Sequence, residues 1–256
     1  MIKYKSHSLN KKMEGIMAQK IKIGYKKQLY TENGMAVRYN GQEVYQCDDP
    51  NMWKNGSGQY ISDLISWGAI GARTTESQVH RELASALSCP VGFKNGTDGN
   101  VKIALDAIQA ASVPHVLYSP DKSGQMCIYQ THGNPFSHVI LRGGKVPNYH
   151  SEDIKHTCEQ LDKAGLQQSI MIDCSHGNSY KDHNKQIDVA RSLAEQITQG
   201  EQSIFGVMIE SFIVPGNQAV KADTPLTYGQ SITDACIDLT VSEEILSLLA
   251  DAVKSR

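Results

Sequence analysis

The sequence predicts an α/β fold of repeated βα units around parallel strands, and three observations carry that expectation. From residue 59 onward, apolar runs rich in β-branched residues alternate with amphipathic stretches of ten to twenty residues. Almost every apolar run ends in polar residues, as the strands of a ligand-binding α/β sheet do at one rim. With 40% hydrophobic and 20% charged residues, the composition is that of an ordinary globular chain, and 256 residues suffice to bury a core without disulfides. Candidate strands are Trp67 to Ala72, Pro90 to Lys94, Val116 to Ser119, Val139 to Arg142, Ile170 to Asp173 and Ile204 to Glu210. Helices are expected over 74–87, 98–111, 151–164, 181–199 and 242–254. The third has Ser151-Glu-Asp153 as cap and acidic first turn and Gly165 as its stop. Val116 to Tyr118 and Met126 to Gln130 flank Pro120-Asp-Lys-Ser-Gly124, an added β-hairpin that interrupts the alternation.

Residues 1–58 read differently. They hold 10 basic and 5 acidic side chains, against 15 and 22 in the remainder, with scattered glycines and no sustained period. A divergent, poorly structured leader is expected there, with strands near 20–30 and 36–46. No motif supports reading its lysines as a nucleic-acid or membrane arm. A formal charge of −2 supplies no field for holding nucleic acid or an anionic membrane, so any anion site must be local. Six cysteines without CxxC spacing read as free thiols of a reducing compartment. No apolar run approaches the ~18 residues of a membrane span, and the Lys-rich start lacks a signal peptide's apolar stretch, so a cytoplasmic location is expected.

Three predicted strands end in cations: Gly71-Ala-Arg73, Gly92-Phe-Lys94-Asn-Gly96 and Leu141-Arg142-Gly-Gly144. Each alone reads as a surface residue. Where strand C-termini share a rim, Arg73, Lys94 and Arg142 converge on one anion, with adjacent glycines admitting backbone N–H groups to it. Later segments end in metal-ligand types: Asp173-Cys-Ser-His176, Ile209-Glu210-Ser and Ser231-Ile-Thr-Asp234. Imidazole with carboxylates suits Mn, Fe, Co or Zn better than Ca, although a lone His is commonly structural and Asp234 has an alternative as a helix cap. No GxGxxG, GxxxxGK[ST] or GxSxG string occurs, which withdraws support from dinucleotide, Walker-type and nucleophile-elbow readings.

The strings over 63–78, 88–99 and 141–145, with Asp173-Cys-Ser-His-Gly-Asn178, Gly206-Val-Met-Ile-Glu-Ser211 and Tyr228-Gly-Gln-Ser-Ile-Thr-Asp-Ala-Cys236, strongly resemble type I 3-deoxy-D-arabino-heptulosonate 7-phosphate (DAHP) synthase over residues 59–256. The resemblance implies a (β/α)8 TIM barrel, here incomplete: about the last five βα units plus the inserted hairpin, 59–256 forming a partial catalytic domain. It implies condensation of phosphoenolpyruvate with erythrose 4-phosphate, the first step of the shikimate pathway. Carried over by position, Arg73, Lys94 and Arg142 match phosphoenolpyruvate-binding residues, and His176, Glu210 and Asp234 match three of four metal ligands, with Lys94 and His176 catalytic. A homo-oligomer is implied too. The Tyr118–Pro135 segment looks most like the tryptophan-sensitive form, which makes Ser88 and Ser119 candidate contacts for an aromatic amino-acid effector, tryptophan.

Upstream the resemblance stops. A Gly-Pro-Cys-Ser string bearing the fourth metal ligand and a Lys-Pro-Arg-Thr string bearing substrate contacts do not occur in this chain. Cys47 lacks the flanking Gly-Pro and lies twelve residues before the recognisable region, which sets it against that role. A truncated, inactive product is one expectation, and its counterpart is a non-catalytic half-barrel binding phosphate, an aromatic effector or an intact subunit. The related synthase that uses arabinose 5-phosphate does not explain the Ala72-Arg-Thr-Thr-Glu-Ser-Gln78 match.

Overall fold

The computed structural model describes residues 66–120, 125–222 and 224–256, together with the backbone of short strands between Lys20 and Cys47. Those strands are β1 (Lys20–Ile21), β2 (Gly24–Gln28), β3 (Arg38–Tyr39), β4 (Gln42–Glu43) and β5 (Tyr45–Cys47). They fall close to the two stretches expected from sequence. The expectation of a poorly structured leader otherwise lies outside the described residues. The chain divides into two compact units. One comprises 1–68, 82–90 and 110–136, and the other 69–81, 91–109 and 137–256.

Most of the repeated βα pattern falls in the second unit, apart from residues 82–86 and 110–111 of its first two helices. Its sheet orders β6 (Gly68–Ile70), β7 (Val91–Lys94), β10 (Ser137–Leu141), β11 (Ile170–Asp173) and β12 (Ile204–Met208) side by side, in chain order. β10 is parallel to both β7 and β11, and β11 to β12. All four residues of β7 are buried, as are the last four of β10, which is what a parallel sheet covered on both faces requires. At the sheet's edge Phe205 on β12 is half exposed. Helices α1 (Gln78–Ala86), α2 (Lys102–Ala111), α3 (Ser151–Lys163), α4 (Gln186–Thr198) and α5 (Leu239–Ser255) supply the crossovers and the final cover. α3 ends as its sequence predicts: Gly165 adopts φ 68°, its N–H meets the Asp162 carbonyl, and the Leu166 N–H meets that of Leu161. α4 and α5 bury Ala190, Ile237 and Ile245 against Ile187, Ile209, Val241 and Leu249.

Several element starts differ from expectation. α1 begins at Gln78 because Gly71–Glu76 forms turns closed by Thr74 and Thr75 hydroxyls on the Gly71 carbonyl. α2 begins at Lys102 because Asp98 and Asn100 accept the N–H groups of Asn100 and Lys102, so the chain turns before it coils. α4 begins at Gln186, after a 3-10 turn over His183–Lys185 capped by Asp182. α5 begins earlier than expected, at Leu239, because Asp238 caps it by accepting the Val241 N–H at 2.9 Å. The pairing of β13 (Val214–Asn217) with β14 (Gln230–Ser231) was not expected from sequence.

The first unit contains the predicted hairpin, β8 (Val116–Pro120) antiparallel to β9 (Met126–Gln130). β5 adds to β9 in parallel, giving a sheet ordered β1-β2-β5-β9-β8. Within this unit Ser85 bonds Thr131 at 2.7 Å, and Asn134 donates to the carbonyls of Ala84 and Cys89. No helix among the described residues is long and apolar enough to cross a membrane.

Candidate functional site

Register brings the strand-end side chains together. Lys94, the last residue of β7, lies opposite Ile140 of β10, two residues before Arg142, and Asp173 of β11 lies opposite Met208 of β12. A cleft of about 650 Å³ opens past these C-terminal ends. Arg73, Lys94, Arg142, His176, Glu210 and Asp234, the six residues singled out from sequence for substrate and metal, all line it. Ser88 and Ser119 belong to the other unit. Ser88 is exposed after α1, and Ser119 is placed by its backbone opposite Cys127 on the hairpin.

Arg142 is only 8% exposed, yet no carboxylate among the described residues lies within ion-pair distance of it. Burial pulls its guanidinium below its ordinary pKa. Asp173, Asp234 and Glu210 pull the other way, and Arg73 adds to the lowering. A buried cation in that state is receptive to an anion. Lys94, by contrast, is paired, its Nζ lying 2.7 Å from Asp173 Oδ2. Asp173 is fully buried. Burial alone would raise its carboxyl, but hydrogen bonding from His176 and the charge of Lys94 outweigh it and hold the group down to about 2.

His176 Nδ1 lies 2.9 Å from Asp173 Oδ2, and Nε2 lies 3.6 Å from Glu210 Oε1 and 3.9 Å from Asp234 Oδ2. One donor atom from each of His176, Glu210 and Asp234 falls within 4.8 Å of the others. An imidazole nitrogen facing two carboxylates is a donor set that fits a divalent transition metal. Burial, with Asp234 and Asp173 close by, raises the Glu210 carboxyl above its usual range, and His176 opposes the rise. Asp234 is not a helix cap, since Asp238 fills that position. Among the described residues no cysteine joins this cluster, and the side chain of Cys47 lies outside them.

Gly96, Gly143 and Gly144 do not serve the role expected of them. Their N–H groups are spent within the loops, Gly96 on Asn100, Gly143 on Asn148 and Gly144 on Val146, as is that of Gly177 on Arg142. What they provide is close approach of backbone to backbone. A Cβ at Gly143 would fall 2.5 Å from the Gly177 carbonyl carbon, and one at Gly144 would fall 2.5 Å from the Gly99 nitrogen. Three asparagines fasten the same loops. Asn95 accepts the Arg142 N–H and donates to the Gly143 carbonyl, Asn148 accepts the Gly143 N–H, and Asn178 donates to the Leu141 and Asp173 carbonyls. Sequence reasoning missed these asparagines, the counter-ion role of Asp173, and Ser179, Lys181 and His183, which also line the cleft. A polar residue ending each buried strand was the signal available for Asp173.

Comparison with known proteins bears on this geometry. Residues 49–247 match the model of the DAHP synthetase I family. The chain is similar to the Trp-sensitive phospho-2-dehydro-3-deoxyheptonate aldolase of Enterobacter agglomerans, 63% identical over 199 residues, which are 78% of this chain and 57% of that protein. The corresponding protein of Escherichia coli K12 is 56% identical over 200 residues, 78% of this chain and 58% of its own. A solved phospho-2-dehydro-3-deoxyheptonate aldolase from Francisella tularensis SCHU S4 superposes with a TM-score of 0.75 at 53% identity, covering 77% of this chain and 58% of that one. The chain thus spans somewhat under three fifths of the length of these relatives. Its fold is accordingly that of an incomplete TIM barrel, five βα units with an inserted hairpin. By sequence match and by fold, the chain belongs to the DAHP synthetase I family.

Proposed function

We propose that this chain acts in the condensation of phosphoenolpyruvate with erythrose 4-phosphate to DAHP and inorganic phosphate, the first step of aromatic amino-acid biosynthesis. The observation that carries this reading is Arg142, a buried guanidinium without a carboxylate partner among the described residues, in a cleft that also holds His176, Glu210 and Asp234. Arg73, Lys94 and Arg142 bind and orient phosphoenolpyruvate through its phosphate and carboxylate, Arg as a planar fork and Lys as a compact charge. His176, Glu210 and Asp234 would hold a divalent ion, which supplies Lewis-acid polarisation of the aldehyde carbonyl. In the reaction C3 of phosphoenolpyruvate bonds to that carbonyl carbon, water adds to C2, and the phosphate leaves. Lys94, fixed by Asp173, donates hydrogen bonds to the oxygens on which negative charge gathers. The proposal extends to a cytoplasmic homo-oligomer under tryptophan control, with Ser88 and Ser119 contacting the effector.

A second reading, a non-catalytic half-barrel that binds phosphate, is favoured by one observation: no cysteine accompanies the three metal ligands among the described residues. Phosphate release from both substrates with Mn²⁺ separates the two. Turnover is expected at least ~10³-fold below that of the Francisella protein, since lost positioning and electrostatic contacts commonly cost several kcal/mol. It should vanish in Arg142→Ala and His176→Ala. Inorganic phosphate binding with no turnover at all would select the second reading.

A further inference from the structure

We propose that Asp173 is a positioning residue that fixes the tautomer of His176 and, through the same oxygen, ties the metal-ligand side of the cleft to Lys94. The inference rests on the reading above that His176 is a metal ligand, but its first measurement needs no metal.

Three donors and one imidazole nitrogen converge on Asp173, which is fully buried. Oδ2 receives Lys94 Nζ at 2.7 Å and His176 Nδ1 at 2.9 Å, and Oδ1 receives the Ser175 N–H at 2.9 Å and the Ser175 hydroxyl at 2.6 Å. A carboxylate can only accept. The Ser175 hydroxyl has one hydrogen and gives it to Oδ1, so at its 2.7 Å separation from His176 Nδ1 it too can only accept. Both neighbours of Nδ1 are therefore acceptors, and Nδ1 must carry the hydrogen. In the neutral ring that leaves Nε2 as a bare lone pair, and Nε2 is the atom facing Glu210 Oε1 and Asp234 Oδ2. Three acceptors then point at one another with no hydrogen between them, an arrangement suited to a cation.

The backbone shows how closely the imidazole is placed. His176 adopts φ 52°, a left-handed conformation rare outside glycine, which turns its ring back over Asp173 three residues earlier. Asp173 itself is held from behind by strand β11, and the Asn178 side chain donates to its carbonyl at 2.8 Å. Lys94 reaches the same oxygen from β7, 79 positions away in sequence. One carboxylate thus orients a residue of each half of the cleft, and disturbing it must disturb both.

The test begins with the chain itself, labelled with ¹⁵N-histidine, free of metal and in alkaline buffer where imidazoles are neutral. The His176 signals are assigned by their absence in His176→Ala. The expected spectrum has a protonated Nδ1 and an unprotonated Nε2, and a protonated Nε2 overturns the proposal. Asp173→Asn, which offers a donor where two donors already point, should move the tautomer and weaken Mn²⁺ binding about 10- to 100-fold. Unchanged tautomer and unchanged Mn²⁺ affinity in a folded Asp173→Asn chain would also overturn it. If that variant fails to fold, Ser175→Ala takes its place, since it removes one acceptor from Nδ1 and one donor from Oδ1. It should keep the Nδ1 hydrogen on Asp173 alone and lower Mn²⁺ affinity severalfold, and an Nε2-protonated ring in it counts against the proposal. A protonated Nδ1 in a chain that binds no Mn²⁺ supports the positioning role and sinks the metal assignment, which separates the two failures.

Discussion

Replacing Arg142 with methionine should make the protein more stable and less able to bind phosphate at the same time. Arg142 is 8% exposed, and its balance of surroundings is unfavourable to charge. Burial outweighs the attraction of Asp173, Asp234 and Glu210, and Arg73 adds repulsion. A group whose charged form is disfavoured on folding costs stability at every pH where it is charged, and Arg is charged throughout the working range. Methionine keeps much of the length and apolar stem without the charge, so Arg142→Met should gain about 1 kcal/mol, the low end of the gain seen when buried charges are replaced by apolar groups. In a chain of this size that corresponds to roughly 2–4 °C in Tm. Inorganic phosphate reverses the order. At ~100 times its Kd it should stabilise the parent by about 2.7 kcal/mol, while the variant loses charge-assisted bonds worth about 1.5–3 kcal/mol and ten- to a hundredfold or more in affinity. Urea unfolding of both chains, in phosphate and in chloride of matched ionic strength, should therefore show the two stabilities crossing. A variant less stable than the parent in chloride, or equally stabilised by phosphate, would refute the reasoning and mark Arg142 as a structural residue.

Three further outcomes follow from the same geometry. Calorimetric titration with Mn²⁺ should show weak binding that His176→Ala abolishes, and equal affinity in both chains would remove the metal assignment. Asp173 is held down to about 2 against an ordinary 3.8, so its contribution, about 2 kcal/mol, is complete above about pH 4 and lost as pH falls from there toward 2. Acid unfolding of the metal-free Asp173→Asn chain should be flatter across that interval, and an unchanged slope goes against the assignment. Gly143→Ala should cost at least ~2 kcal/mol more than Gly165→Ala in urea unfolding: both glycines have positive φ, but a Cβ at Gly143 meets the Gly177 backbone, whereas one at Gly165 meets nothing within 4 Å. Equal costs would show that the loop contact at Gly143 yields freely.

What the sequence made legible was the order of strands and the residue type at each strand end. Alternation of β-branched runs with amphipathic stretches is a local pattern, and in a parallel sheet the local pattern already dictates which ends share a rim. Element starts were less legible, because Asp98, Asn100 and Asp182 satisfy nearby backbone N–H groups with their own side chains and so hold the chain in turns where periodicity alone reads helix. Gly143 and Gly144 were misread for a different reason. A glycine beside a cation is compatible both with an anion approaching the backbone and with a second loop approaching it, and only the fold decides between Gly177 and a ligand as the neighbour of Gly143. The role of Asp173 was hidden by distance, since its ion partner lies 79 residues upstream.

The cleft holds cations and acceptors that feel one another and yet remain apart, which needs explaining, because opposite charges sharing a cavity would ordinarily collapse into pairs. Arg142 is influenced by Glu210 and Asp234 without forming an ion pair with either. The loop that carries Arg142 is held in place. Gly143 and Gly177 already touch backbone to backbone, and Asn95, Asn148 and Asn178 fasten the ends of β7, β10 and β11 through buried or half-buried hydrogen bonds. Asp173 pairs with Lys94 and gives it a neighbour on the metal-ligand side without spending Glu210 or Asp234. Among the described residues, cations and carboxylates are thereby kept from pairing with one another at the mouth of the cleft, so that an anion and a cation can each find a partner there. On this view the asparagines and glycines of the strand-end loops are as much a part of the site as the ionised residues they hold apart.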